Sequence, residues 1–198
     1  MRDNENPMRT EATKKLFTVD EYYKIVEAGV FPEPVRTELI DGEIIEMTPA
    51  GDRHVMCVNR ATAFFTESFG RNGIVSIQNA VHLNIYNMPQ PDVVVFKPRA
   101  DFYFPDRPSP KDVLLIVEVS DSTLRRDRRI KLPRFAAAGI PEVWIEDLKH
   151  DLILVFRDPD GREYLTQLIL RRGDSISPLA FQISTFLVDD LIGVEPVH

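Results

Sequence analysis

One cysteine, Cys57, stands in 198 residues. That excludes an internal disulfide and a cysteine zinc cluster. No apolar run reaches the roughly 20 residues of a membrane-spanning helix. The opening stretch, MRDNENPMRTEATKK, holds no apolar core of a leader peptide. No secretory signal is therefore expected, and a cytoplasmic address is the default. Two catalytic signatures are missing: there is no G-x-x-x-x-G-K phosphate loop and no G-x-S-x-G elbow. Bases are outnumbered, with 24 Lys and Arg against 31 Asp and Glu and a net charge of −7. Such a chain is not an obvious nucleic-acid binder, because phosphate contacts draw on Lys and Arg. There is no internal repeat and no low-complexity tract.

Hydrophobic residues make up 43% of the chain and charged ones 28%, the balance of a folded soluble domain rather than a disordered one. The length suits one core. The expected organisation is a loose tail over residues 1–16 and a single domain over 17–198. Charge is uneven within it. RRDRRIKLPR, Arg125 to Arg134, gathers six bases around one acid. It reads equally well as a solvated helix face or as a phosphate-facing run.

TVDEYYKIVEAG predicts a helix, with Thr18 as cap, Glu21 completing a capping box and Gly29 as stop. TELIDGEIIEM predicts a hairpin turning at Asp41-Gly42, a pair suited to positive φ. Val58, Ala61, Phe65 and Phe69 recur at helical spacing, and Gly70 follows as a stop. GIVSIQNAVHLNI reads as extended. PDVVVF is a short apolar strand opened by Pro91. ADFYFPDRPSPK is a proline-rich loop. DVLLIVEVS is a buried strand, and STLRRDRRIKLPRFAAAG a helix that Pro133 kinks or restarts. EVWIEDL is a further strand, and LILVFRDPDGREYLTQLIL a hairpin turning at Asp158 to Gly161. The C-terminal segment mixes short strand and helix signals. From Asp52 to Leu148 the order is α-β-β-β-α-β. Strands apolar on both faces imply a sheet covered on both sides, hence an α/β sandwich.

Glu118 is out of place in the aliphatic run LLIVEVSDS. Alternation puts it on one strand face with Leu114, Ile116 and Ser120, and puts Asp92 with Val94 and Phe96. If the two strands pair in suitable register, the carboxylates lie side by side. Two buried acids repel, so one takes a proton or a cation sits between them. Carboxylate oxygens completed by water suit Mg²⁺ or Mn²⁺. The helix after Glu118 runs back over the sheet. Its rise brings Lys131 level with Glu118, pointing toward the helix start. Asp127, four residues earlier, can orient Lys131.

QPDVVVF, LLIVEVSDST, RRDRRIKLPRFAAAGIPEVWI and TELIDGEIIEM, with His54 downstream, together resemble a large bacterial family of restriction-endonuclease-like proteins. That family lies within the PD-(D/E)XK nuclease superfamily. The resemblance runs from about Thr18 to the C-terminus. It implies a restriction-endonuclease-like α-β-β-β-α-β core, with a mixed sheet flanked by helices. An N-terminal helix and hairpin and a C-terminal β-hairpin extension are added to it. It implies a Mg²⁺-dependent (or Mn²⁺-dependent) endonuclease acting on DNA, with Asp92 and Glu118 as metal ligands. The backbone carbonyl of Val119 is a third ligand in that scheme. The superfamily lysine two residues after the Glu is here Ser120, and Lys131 on the next helix matches the family's lysine. Phe135 stands where many relatives carry Tyr. Glu38 and His54 match recurring family positions; otherwise they read as an exposed strand residue and a helix-start residue. Arg125, Arg126, Arg128 and Arg129 are candidates to clamp substrate phosphates.

Gln78 reads as strand surface, with a cleft contact as the alternative. Cys57, Trp144 and the Leu132, Phe135, Ala136 face read as core. Cutting both strands of a duplex with one site per chain favours a two-fold homodimer. The competing expectations are a nucleic-acid- or protein-binding module with a decayed site, and a partner subunit of a defence or transposition system.

Overall fold

The structure, a computed structural model, describes residues 13–32 and 35–193. The expected tail lies outside the described residues over 1–12. Helix α1 spans Val19–Glu27, and its cap is the predicted one: Thr18 and Glu21 form a reciprocal capping box. Strands β1 (Thr37–Ile40) and β2 (Glu43–Glu46) form the predicted antiparallel hairpin. Its turn residues Asp41 and Gly42 have φ of 52° and 74°. Helix α2 spans Asp52–Phe69 and buries Cys57, Val58, Ala61, Phe65 and Phe69, the stripe its spacing predicts.

The central sheet has six strands in the order β3-β4-β5-β6-β7-β8. They are β3 Ile74–Ile77, β4 Val93–Phe96, β5 Val113–Ser120, β6 Glu142–Asp147, β7 Leu152–Pro159 and β8 Tyr164–Arg171. Only the β5–β6 pair is parallel; the other four are antiparallel. A helical crossover makes the parallel pair possible. The hairpin β7–β8 continues the main sheet, and its loop falls two residues later than the predicted Asp158–Gly161 turn. The extended run predicted after Gly73 is shorter than expected. It ends at Ile77, because Gln78 takes φ of 52° and the chain leaves the sheet.

Two apolar layers cover the sheet. One face packs Val93, Val95, Val117 and Trp144 under α2 and under the C-terminal elements β9 (Ser175–Ile176), β10 (Phe186–Leu187) and α5 (Val188–Ile192). The other packs Val94, Phe96, Ile116 and Ile145 against Phe135 of the crossover and Val81 and Leu83 of a loop. A third cluster, Val19, Tyr22, Leu39 and Met88, joins α1 to the hairpin. Continuous aliphatic runs in β4 and β5 therefore read correctly as doubly covered strands.

The crossover is one right-handed coil in three parts: α3 (Leu124–Arg126), a π turn over Asp127–Lys131, and α4 (Leu132–Ala137). Pro133 has no N–H for the carbonyl four residues back. The N–H of Leu132 instead reaches five residues back, to the carbonyl of Asp127. Pro133 lies in the first turn of α4, so the helix restarts there, the alternative to a kink, and a π turn precedes it. Both ends of that turn, Asp127 and Lys131, are buried.

Candidate active site

Val93 pairs with Val117 across β4 and β5. Continuing that antiparallel register by one residue sets Asp92 opposite Glu118. Asp92 directly precedes β4 and Glu118 directly follows Val117 on β5; both are buried and line the same cavity. Asp92 Oδ2 accepts the Val119 N–H at 2.8 Å and lies 3.1 Å from His54 Nε2. The start of α2 thus delivers His54 to the strand that carries Asp92. His54 Nδ1 is buried and has no hydrogen-bond partner among the described residues.

Glu118 Oε1 accepts from Lys131 Nζ at 3.0 Å. The crossover does run back over the sheet and brings the amine to the carboxylate. Glu38 reaches the same amine at 3.4 Å, and Asp127 at 4.0 Å. Glu38 is wholly buried rather than exposed. It pairs with Arg126 and accepts the Gln90 N–H at 3.1 Å. Asp127 is fixed by two hydroxyls, Ser120 Oγ and Thr123 Oγ1, each at 2.7 Å. Ser120, where the superfamily lysine would stand, is therefore a support for the acid that flanks Lys131.

His54, Gln78, Asp92, Glu118, Val119, Arg126, Asp127 and Lys131 line one cavity of about 370 Å³, with Glu38 buried behind it. Gln78 lines the cavity instead of lying on a strand surface; its N–H donates to the Asp92 carbonyl at 3.0 Å. The four arginines separate. Arg126 faces the cavity, tied to Glu38, while Arg125, Arg128 and Arg129 are exposed and do not line it.

The electrostatics are those of a site with surplus negative charge. Among the described residues, the four acids Glu38, Asp92, Glu118 and Asp127 outnumber the two cations paired with them, Lys131 and Arg126. Burial pushes the Glu118 carboxyl well above its ordinary value; Lys131 opposes this, and Asp127, Asp92 and Glu38 add to it. Burial alone would pull the Lys131 amine down, but Glu118, Glu38 and Asp127 outweigh it and hold the amine above its ordinary value. The amine stays charged. Among the described residues, no three acidic, histidine or cysteine side chains gather closely enough to enclose a metal ion. The donor set nonetheless fits a hydrated hard cation, since two carboxylates and a carbonyl leave room for water.

Glu146 was not singled out from the sequence. It lies on β6 beside Val119, fully buried, and neither carboxyl oxygen has a hydrogen-bond partner among the described residues. Its only prior signal was an acid at the end of the apolar run Val143, Trp144, Ile145. Cys57 and Trp144 are core, as expected. Burial pushes the Cys57 thiol up to about 12, which removes it as a nucleophile.

No curated protein is significantly similar to the chain. Among solved structures it resembles a putative nuclease belonging to DUF820 from Anabaena variabilis ATCC 29413. The likeness covers 89% of this chain and 97% of that one, with a TM-score of 0.67 and 16% sequence identity. At that identity the likeness shows a shared fold. Residues 19–188 match the family model described as "Uma2: Putative restriction endonuclease", and the chain belongs to that family.

Proposed function

We propose that the protein is a divalent-metal-dependent endonuclease that hydrolyses phosphodiester bonds of DNA. The observation that carries this reading is the convergence of Asp92, Glu118 and Lys131 on one cavity where carboxyl groups outnumber cations. Asp92, Glu118 and the Val119 carbonyl would hold Mg²⁺ or Mn²⁺. When bound, such an ion lowers the pKa of water and neutralises charge on the scissile phosphate.

The chain's own groups do the rest. Lys131 keeps its proton on Nζ and offers N–H donors to the phosphate oxygen on which charge develops. Glu38 and Asp127 position that amine from two sides. His54 holds Asp92 in place through Nε2. Arg126 neutralises Glu38 beside the cavity, and exposed Arg125, Arg128 and Arg129 supply phosphate contacts on the same helical segment. The expected products, implied by the superfamily, are a 5′-phosphate and a 3′-hydroxyl.

Titrating Mn²⁺ into the purified protein, with cleavage of single- and double-stranded DNA and RNA followed in parallel, tests this. Saturable binding that Asp92→Asn abolishes, together with loss of cleavage in Asp92→Asn and Lys131→Ala, is expected. Undiminished cleavage in either variant defeats the assignment. A second reading, a binding module or partner subunit without cleavage, is favoured by the −7 net charge. It predicts neither ion binding nor cutting.

A further inference from the structure

Among the described residues, the six-stranded sheet has two free edges, and they differ. The β3 edge is four residues long and is ended by the positive φ of Gln78. The β8 edge is eight residues long, and among the described residues only β7 pairs with it. It exposes Leu165 at 69%, Leu168 at 38% and Ile169 at 54%. A long apolar edge strand is a template for another strand unless it is blunted by charge, proline or a bulge. The β7–β8 register runs without a bulge, and no proline or charged residue interrupts residues 164–170.

The backbone fixes which registers a partner can take. The carbonyl of Glu163 is turned toward β7, where it accepts the Asp160 N–H at 3.0 Å. By the two-residue alternation of an antiparallel strand, odd-numbered residues of β8 turn their backbone groups to β7. Tyr164, Thr166, Leu168 and Leu170 present theirs to the free edge. A two-fold antiparallel pair must match these outward groups, so its axis passes through a residue and not between two.

With the axis at Gln167, Thr166 faces Leu168 of the second copy, and Tyr164 faces Leu170. Leu165 then lies against Ile169, and exposed Glu163 against exposed Arg171. These last two are pairs in which side chains approach closely. Moving the axis to Thr166 sets Glu163 against Ile169; moving it to Leu168 sets Glu163 against Gly173. Only the Gln167 register matches charge with opposite charge and apolar with apolar.

We infer that β8 is a homodimer interface, pairing antiparallel with β8 of a second copy about Gln167 to make one continuous twelve-stranded sheet. The occupant is a second copy because the strand is complementary to itself, as a two-fold interface requires. The inference does not depend on the proposed nuclease activity, and its readout is mass.

Sedimentation equilibrium on the full-length chain over a concentration series is the test. A dimer is expected. Thr166→Pro removes an outward N–H, which a monomer's edge strand tolerates, and makes the protein monomeric. Glu163→Arg and Arg171→Glu each place like charges opposite and each weaken the dimer at least tenfold. Mixing these two single variants restores it as a heterodimer, an outcome that a folding defect does not produce. A protein that stays monomeric throughout overturns the inference. So does a dimer that survives Thr166→Pro and both charge changes.

Discussion

Glu146 is enclosed, and among the described residues neither carboxyl oxygen accepts a hydrogen bond, so the protonated form of its carboxyl is favoured. Burial and then the charge of Asp92 push it up from 4.5 to about 8, with Arg60 opposing. The folded state therefore holds a proton that the unfolded state gives up above its ordinary value. The resulting stability is present below about pH 4.5 and is lost as pH rises to about 8. The loss accumulates steadily as pH rises across that window. Glu146→Gln is expected to remove this dependence and to be more stable than the wild type at about pH 8. Urea denaturation of both proteins at acid and alkaline pH measures it; parallel curves would refute it. Lys131 is the opposite case. Lys131→Ala strands Glu118 beside Glu38 and Asp127, and removing one partner of a buried pair costs about 3–5 kcal/mol. Some of that cost is relieved because Glu118 can protonate. A lower melting temperature is expected, with full-length folded protein still recovered.

The elements that matter to the site are the hairpin and the crossover. β1 carries Glu38 into the core, and its register depends on the turn at Asp41-Gly42. Gly42 has φ of 74°, and a Cβ there would meet Leu16 Cβ at 2.7 Å and the Phe17 carbonyl at 3.1 Å. Gly42→Ala is expected to cost more than about 1 kcal/mol, by strain as well as crowding. Because the hairpin positions Glu38, the metal affinity that the proposed function requires should fall with it; calorimetry and denaturation on one variant read both. On the crossover, spacing placed Lys131 near Glu118 correctly, since rise and direction are local properties of a helix. The π turn was not legible, because it follows from how Leu132 and Pro133 resolve a missing donor against the packed sheet. The aromatic cluster of Phe65, Phe69, Trp144 and Phe186 locks α2 to the sheet face that leads to His54. Phe65→Ala is expected to destabilise by about 3–5 kcal/mol.

At the scale of the molecule, the proposed reading makes a divalent cation a stabilising ligand of the folded state. Mg²⁺ or Mn²⁺ at about 100 times its dissociation constant should add about 2.7 kcal/mol of stability. Thermal melts with and without the ion check this, and Asp92→Asn should abolish the shift. The acidic net charge and the basic crossover are reconciled by geometry. The arginines of the crossover are split, Arg126 turned inward to Glu38 and Arg125, Arg128 and Arg129 left at the surface. Among the described residues, no helix is long and apolar enough to cross a membrane.

Local grammar by itself determined the caps, the turn at Asp41-Gly42, the helical stripe of α2, the doubly buried strands and their order along the chain. Each is written in neighbours a few residues apart, where propensity and periodicity act. It also brought Asp92, Glu118 and Lys131 to one place, because two sequential strands and a helical return constrain where side chains can point. Only tertiary structure decided that Glu38 is buried with Lys131, that Gln78 leaves its strand to line the cavity, and that Glu146 lies unpartnered beside Val119. Those facts depend on contacts between residues 14 to 93 positions apart, and nothing in the local pattern of any one segment encodes what the other will present to it.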